Sequence, residues 1–267
     1  MIITAGKPCA VTDKGGRRNN EDAIFPMPES ANSNQEIFMV CDGVGGNERG
    51  EVASNLACES INTYISTFVD KDPTKEVIEK AVMYAEACFD SYVNEHPEAK
   101  GMATTLAMTY ITSNGILLAH MGDTRIYYLR NGEILYRSDD HSLVNMLLKL
   151  GKITKEELST HPKKNVITRA IQGSDNHNEP EVVLWDDVKP DDYILMCTDG
   201  FREAVNDDMI KEMFNGQKAI CDIKDALLNA CDGNTRDNFS FYIIPVQKVQ
   251  ESANLKQNVL SFLYSFI

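Results

Sequence analysis

Positive charge is scarce in this 267-residue chain: Lys and Arg number 26 against 40 Asp and Glu, a formal net charge of -14. Nucleic acids and anionic membrane surfaces are held through basic patches, so neither is expected as a partner. No run of about 18 apolar residues occurs, which excludes a membrane-spanning helix. The seven cysteines (9, 41, 58, 88, 197, 221 and 231) include no C-x-x-C pair, and several lie in apolar runs where a reduced thiol packs as a small hydrophobe. No signal-peptide pattern opens the chain, which makes the cytoplasm the expected compartment. A G-K-[ST] P-loop is missing, and residues 43–48 fail G-x-G-x-x-G because the last position is Glu48. Internal repeats and low-complexity stretches are missing too. At 43% hydrophobic and 25% charged the composition is globular, and the length suits one layered, β-rich domain.

The periodicity predicts short strands over 8–13, 22–26 and 36–41, then a helix over 50–68 with its stripe on Val52, Leu56, Tyr64, Ile65 and Phe68, filled in by Ala53, Ala57 and Ile61. A second helix is expected to start at Asp72 (N-cap) and Pro73, with a stripe from Val77 to Val93. Strands follow at 103–111 and 115–121. A hairpin, 125–130 with 133–137, is expected around Asn131-Gly132, a type I′ signal. A short helix spans 141–151, and Thr154 with Glu157 has the pattern of a capping box for another. Strands are expected at 181–185 and 192–198, helices near 207–214 and 219–231, and a last strand at 239–246. Strands, two helices, strands, two helices and a strand do not make βαβ alternation. The order predicts an α+β fold: a β-sandwich of two antiparallel sheets flanked by helix pairs, in α-β-β-α layers. The domain is expected over 1–247, followed by an apolar tail over 248–267.

Three carboxylates stand at the ends of apolar, strand-like runs. Asp42 follows Ile-Phe-Met-Val-Cys, Asp199 follows Tyr-Ile-Leu-Met-Cys-Thr, and Asp237 precedes the run 239–246. If the fold gathers them, they cannot all stay ionised without a cation. Hard oxygen donors without a His or Cys cluster point to Mg2+ or Mn2+ and away from zinc. One further phosphoryl motif fails. Asp70-Lys71-Asp72-Pro73-Thr74 fits D-x-D-x-T, but the residues before it have helical and not strand period.

Five motifs occur in order: Arg17-Arg18-Asn19-Asn20-Glu21-Asp22, Val40-Cys41-Asp42-Gly43-Val44-Gly45-Gly46, Gly122-Asp123-Thr124-Arg125, Cys197-Thr198-Asp199-Gly200 and Asp237-Asn238. From about residue 8 to 246 the chain resembles the bacterial branch of the metal-dependent type-2C (PPM) serine/threonine protein phosphatases. The resemblance implies hydrolysis of phosphoserine and phosphothreonine in proteins by water activated on two metal ions, Mn2+ or Mg2+. It implies that Asp42 bridges the ions, Gly43 lends its carbonyl, Asp199 and Asp237 complete one ion, and Glu21 supports the other. Asp22 would stand behind them holding bound water. Arg17 would take the substrate phosphate, for which a planar fork is suited. Asp123 would hold a third, weaker ion. Implied partners are phosphoproteins, a Ser/Thr kinase or its targets among them.

The sequence departs from the family where Val44 and Asn47 stand in place of histidines that relatives carry, so the acid for the leaving group is not assigned. His141 and His161 are read as structural. The stretch 139–172 resembles the flap that borders the active site in bacterial relatives. A different class of function is a phosphatase-like module that binds without turnover; the complete set of Asp42, Asp199 and Asp237 argues against it. The tail could dock on its own domain, pair with a second copy, or lead to a membrane segment absent from this chain.

Overall fold

The computed structural model describes residues 1–44, 49–69, 73–158, 160–216 and 218–251. Gly45, Gly46, Asn47, Asp72 and the tail from 252 onward therefore lie outside the described residues. In chain order the strands are β1 (Ile2–Ala5), β2 (Cys9–Asp13), β3 (Asp22–Phe25), β4 (Ile37–Val44), β5 (Ala103–Thr104), β6 (Leu106–Thr112), β7 (Gly115–Met121), β8 (Arg125–Arg130), β9 (Glu133–Arg137), β10 (Glu181–Trp185), β11 (Tyr193–Cys197) and β12 (Phe239–Gln250). The helices are α1 (Gly50–Phe68), α2 (Lys75–Glu95), α3 (Leu143–Lys149), α4 (Asp199–Ala204), α5 (Asp207–Met213) and α6 (Ile220–Cys231).

Two six-stranded antiparallel sheets form the sandwich. One runs β1-β12-β11-β8-β9 with β2 also on β12; the other runs β10-β7-β6-β4-β3 with β5 on β4. Both faces of each sheet are covered, which explains why central strands read as unbroken apolar runs. On β4, Phe38 and Val40 point into the core between the sheets, whereas Met39 and Cys41 pack against α1 and α2. On β11, Ile194 and Met196 face the same inter-sheet core, whereas Leu195 and Cys197 pack under α4, α5 and α6. These are the α-β-β-α layers expected from the element order. Asn131 and Gly132 take φ of 50° and 77°, the left-handed pair of a type I′ turn between β8 and β9. Among the described residues no helix is long and apolar enough to cross a membrane.

Several local expectations are corrected. Asp42 does not end its strand: β4 continues to Val44 because Gly43 and Val44 pair with β5. Asp199 opens α4, a six-residue helix not foreseen. α2 begins at Lys75 with Thr74 in the N-cap position. The Thr154 amide does donate to Glu157 Oε2 at 2.7 Å, but this half of a capping box closes a turn and no helix follows. β1, also unforeseen, pairs with the far end of β12, Ile2 opposite Gln250.

One buried ion pair ties β8 to the loop before β11. Asp192 is fully buried and accepts from Arg130 Nε and Nη2 at 2.7 and 2.8 Å, from the Tyr128 hydroxyl at 2.6 Å and from the Lys189 amide at 2.8 Å. Asp192→Ala strands the buried tyrosine hydroxyl and removes the Nε and one Nη2 bond of Arg130, leaving that guanidinium only its contacts to Asp187. The expected cost is about 3 kcal/mol or more, or a melting temperature lowered by roughly 6–12 °C for a chain of this size. Thermal unfolding of the variant checks this; a shift within about 2 °C would remove the anchor from the account.

Candidate active site

The period-two alternation of the strands fixes where the acids go. Asp42 lies on the same side of β4 as Val40 and Phe38, and Asp22 on the same side of β3 as Ile24, so both face the gap between the sheets. Register places Asp22 directly opposite Asp42. At this end the apolar filling of the sandwich gives way to polar side chains. Thr198, at the end of β11 in the opposite sheet, donates its hydroxyl to Asp22 Oδ2 at 3.0 Å. Thr105 and Thr124 share a hydroxyl contact of 2.6 Å. These are bridges from sheet to sheet beneath the acids.

Asp199, Asp123 and Asp237 converge on the same mouth from three separate segments, and all three line a groove of about 630 Å3. Burial raises the Asp199 carboxyl, with Arg202 opposing and Asp237 adding to it. Burial pushes the Asp42 carboxyl well above the ordinary range, and Asp22, Asp199, Asp123 and Asp237 push it further. Burial likewise raises Asp22, to about 7, with Asp199 and Asp237 adding to it against the hydroxyl donors. Asp123 reaches about 6, again through burial, with Arg202 opposing. Such crowding favours a cation. Asp22 Oδ1 is buried without a hydrogen-bond partner, an acceptor still to be filled. Among the described residues no three carboxylates at this mouth place an oxygen each within 4.8 Å of one another. That spacing fits ions of the Mg2+ type, which keep several waters and need few protein oxygens each.

Backbone positions the acids. A Cβ on Gly43 would lie 2.2 Å from the Gly50 carbonyl oxygen, so the start of α1 can seat against β4 only if residue 43 has no side chain. Gly43 donates its amide to the Glu21 carbonyl at 3.1 Å, and Ser54 of α1 donates to the same carbonyl at 2.6 Å. Gly200 does the same at the other sheet, where a Cβ would lie 2.0 Å from the Asn238 carbonyl oxygen. Asn238 is the central staple: its Oδ1 accepts from the Glu21 amide at 2.9 Å, and its Nδ2 donates to the carbonyls of Lys14 and Asn19 at 2.8 and 2.7 Å. Arg17 lies on that loop, mostly exposed, with Nη2 2.7 Å from Asp237 Oδ2. The neighbouring Arg18 and Glu21 line a second hollow beside it.

The structure thus brings Asp22, Asp42, Asp123, Asp199 and Asp237 to one mouth, with Glu21, Gly43 and Arg17 at its rim. It also adds residues that the sequence did not single out. Arg202 of α4 donates to the Asp123 carbonyl at 2.9 Å and to Asp140 Oδ2 at 3.3 Å, and Asp140 takes a two-pronged grip from Arg125 at 2.6 and 2.8 Å. The spacing of Arg202 three residues after Asp199 was the available signal, one helical turn from the acid. His141 turns to the Gly122 amide, and burial, the adjacent His120 and Arg169 push it down to about 4, so it is neutral at pH 7 and no proton donor to the site. His161 caps its own turn, accepting from the Lys163 amide at 3.1 Å.

Comparison with known proteins shows the family. The family model of protein phosphatase 2C matches residues 15–237. The chain is 30% identical over 246 residues to the protein phosphatase PhpP of Streptococcus pneumoniae, covering 89% of this chain and 96% of that one. It is 28% identical over 256 residues to the serine/threonine phosphatase stp of Listeria welshimeri, covering 90% and 96%. The catalytic domain of the serine/threonine protein phosphatase PstP, solved in complex with two manganese ions, superposes with a TM-score of 0.77 at 27% identity, covering 92% of this chain and all of that one.

The raised carboxyls carry a pH signature. A carboxyl whose folded pKa exceeds its unfolded value of 3.8 favours the folded state most at low pH, and this contribution fades as pH climbs through the folded value, about 6 for Asp123 and about 7 for Asp22. In excess chelator the melting temperature is expected to fall as pH rises from about 5 to about 8. Saturating Mn2+ binds only the ionised acids, so its stabilising shift should grow over the same range. Differential scanning fluorimetry with and without the ion checks this; a metal-induced shift that stays constant across that range would mean the acids do not share a cation.

Proposed function

The chain belongs to the protein phosphatase 2C family, and we propose that it hydrolyses phosphoserine and phosphothreonine in proteins with the help of two divalent ions, Mn2+ or Mg2+. The observation that carries this reading is the opposed pair Asp22 and Asp42 at the open end of the sandwich, where burial and the crowding of Asp22, Asp199, Asp123 and Asp237 push the Asp42 carboxyl well above its ordinary range. Asp42, the Gly43 carbonyl, Asp199 and Asp237 hold the ions, Glu21 supports one of them, and Asp123 serves a weaker third. When bound, the ions neutralise phosphoryl charge and lower the pKa of water to give a nucleophile near neutral pH.

The chain's own groups do the rest. Water and the phosphomonoester become the free hydroxyl and inorganic phosphate. Arg17, steadied by Asp237, keeps donors free toward solvent, where they meet the oxygens of an incoming phosphate. Asp22, locked by Thr198, offers Oδ1 as the acceptor that orients the attacking water. The groove continues past Asp123 toward α3 and the 139–172 flap, which makes room for the polypeptide around the phosphate. Partners are then phosphoproteins, with a Ser/Thr kinase or its targets as the natural class and the cytoplasm as the compartment. The expected boundary at 247 falls inside β12, whose Lys248, Val249 and Gln250 pair with β1; the segment we keep separate from the catalytic domain, and available for self-association, therefore begins after Gln250. A module that binds without turnover has no chemical need for five converging carboxylates.

The division of labour has three testable consequences. Hydrolysis of an aryl phosphate should require added Mn2+ or Mg2+ and stop in excess EDTA. Asp199→Asn or Asp237→Asn should lower turnover by on the order of 10²-fold or more with the fold intact; near-normal turnover in both at saturating metal would sink the ligand assignment. Arg17→Ala should raise KM for a phosphopeptide several-fold, on the order of 10-fold, with little change in the metal titration midpoint. The opposite pattern, a shifted midpoint at constant KM, would make Arg17 a prop for Asp237 and not a phosphate ligand.

A further inference from the structure

The end of β7 and the root of the flap meet through a pair of histidines. His120 on β7 and His141 just before α3 stack with ring centroids 4.5 Å apart and planes 19° from parallel. Glu181 of β10 pairs with His120 in register and brings its carboxylate beside them. Each of the three offers a donor atom within 4.8 Å of the other two. His120 is fully buried and His141 nearly so, whereas Glu181 is 47% exposed and opens the cluster to solvent.

The polar accounting of this cluster is incomplete. His120 gives Nε2–H to the Asp139 carbonyl at 2.9 Å, which leaves Nδ1 a lone pair with no partner in a buried setting. His141 Nε2 is likewise without a hydrogen bond; the Glu181 carboxylate stands 3.5 Å away, too far for a good one. Unsatisfied buried nitrogens are costly. An imidazole whose far nitrogen is tied to a backbone carbonyl is the usual arrangement of a metal ligand, since that bond fixes the tautomer.

We propose that His120, His141 and Glu181 form a second metal site, distinct from the carboxylate centre and selective for a borderline divalent ion such as Zn2+. Two imidazoles and a carboxylate suit zinc, with water in the fourth position, whereas the carboxylate centre suits harder ions. His120 is ready through Nδ1. His141 must turn, because stacked rings cannot both aim at one ion and because its Nδ1 faces the Gly122 amide. That contact is 3.3 Å, the longest of the cluster's hydrogen bonds. Turning the ring breaks it, puts the imidazole proton on Nδ1 and gives Nε2 to the ion. The freed amide belongs to the residue before Asp123. Loading the site therefore reaches the third-ion corner of the mouth, and through His141 it grips the flap, whose Thr168 amide donates to the His141 carbonyl at 2.7 Å.

Zinc titration by calorimetry on the full chain, in excess Mg2+ to occupy the carboxylate centre, tests the site. The expected result is one Zn2+ per chain, with affinity reduced by about 10-fold or more in both Glu181→Gln and His141→Gln. Asp199→Asn should keep that site. Glu181 is solvent-facing, so Glu181→Gln is expected to fold and to retain Mn2+-dependent turnover, which separates loss of the ligand from loss of the fold. Absence of any zinc site that persists in Mg2+, equal affinity in the parent and in the two variants, or loss of the site in Asp199→Asn would each overturn the proposal.

Discussion

Five carboxylates share one mouth of a protein sandwich, and their mutual repulsion governs how everything around them is built. In water such charges would separate. Here Asp22 and Asp42 are fixed by strand register, Asp199 by the start of a helix, and Asp237 by the segment that enters the longest strand. None can retreat without disturbing a sheet. The pleat supplies the direction: positions 42, 40 and 38 share a face, and so do 22 and 24. The chain can therefore bury Phe38, Val40 and Ile24 only by pointing the two aspartates into the same gap. Core packing holds the charges together, and a cation relieves the strain that results.

The scaffold that resists this repulsion is mostly backbone. Glu21 has its amide on Asn238 and its carbonyl on both Gly43 and Ser54, so a rim residue is clamped by β4, α1 and the entry to β12 at once. Gly43 and Gly200 act as symmetric counterparts. At each, a helix start presses against a strand at a distance that no side chain allows. On the flank, Arg202, Asp140 and Arg125 form a chain of charge pairs running from Asp123 toward the flap. Positive charge is scarce in this molecule, and some of it is concentrated where the acids are densest.

The layers and the acids could be read from the sequence because both follow local rules. Apolar runs four to eight residues long alternate with helical stripes, and each run ends near an aspartate. Other features depend on partners far along the chain. β1 is a strand only because Val246 to Gln250 lie beside it. β4 outruns its apolar stretch because β5 offers Gly43 and Val44 a partner. α4 is hidden by its brevity and by the apolar run before it. Thr198 and Asn238 were visible as motif letters, but their tasks, a hydroxyl for Asp22 and a staple for Glu21, are contacts between residues 176 and 217 positions apart. Thr154 and Glu157 show the converse: the local bond forms, yet no apolar face follows to make a helix worth its entropy.

The last strand has a bearing on the life of the chain before it is finished. β12 is paired with β1, β2 and β11, and it delivers Asp237 and Asn238 to a loop more than 200 residues upstream. Contacts of such separation close late, after the intervening loops have paid their entropy. During synthesis, β1 and β2 leave the ribosome long before the strand that will hold them, and β11 waits with an open edge. The Asp22–Asp42 pair is local to β3 and β4, but the mouth is complete only when the last strand brings Asp237 to it. A nascent chain cannot gather all its acids or the phosphate-facing loop until nearly all of it has emerged, and a chain cut short before residue 237 lacks both the fifth acid and the strand that closes its first sheet.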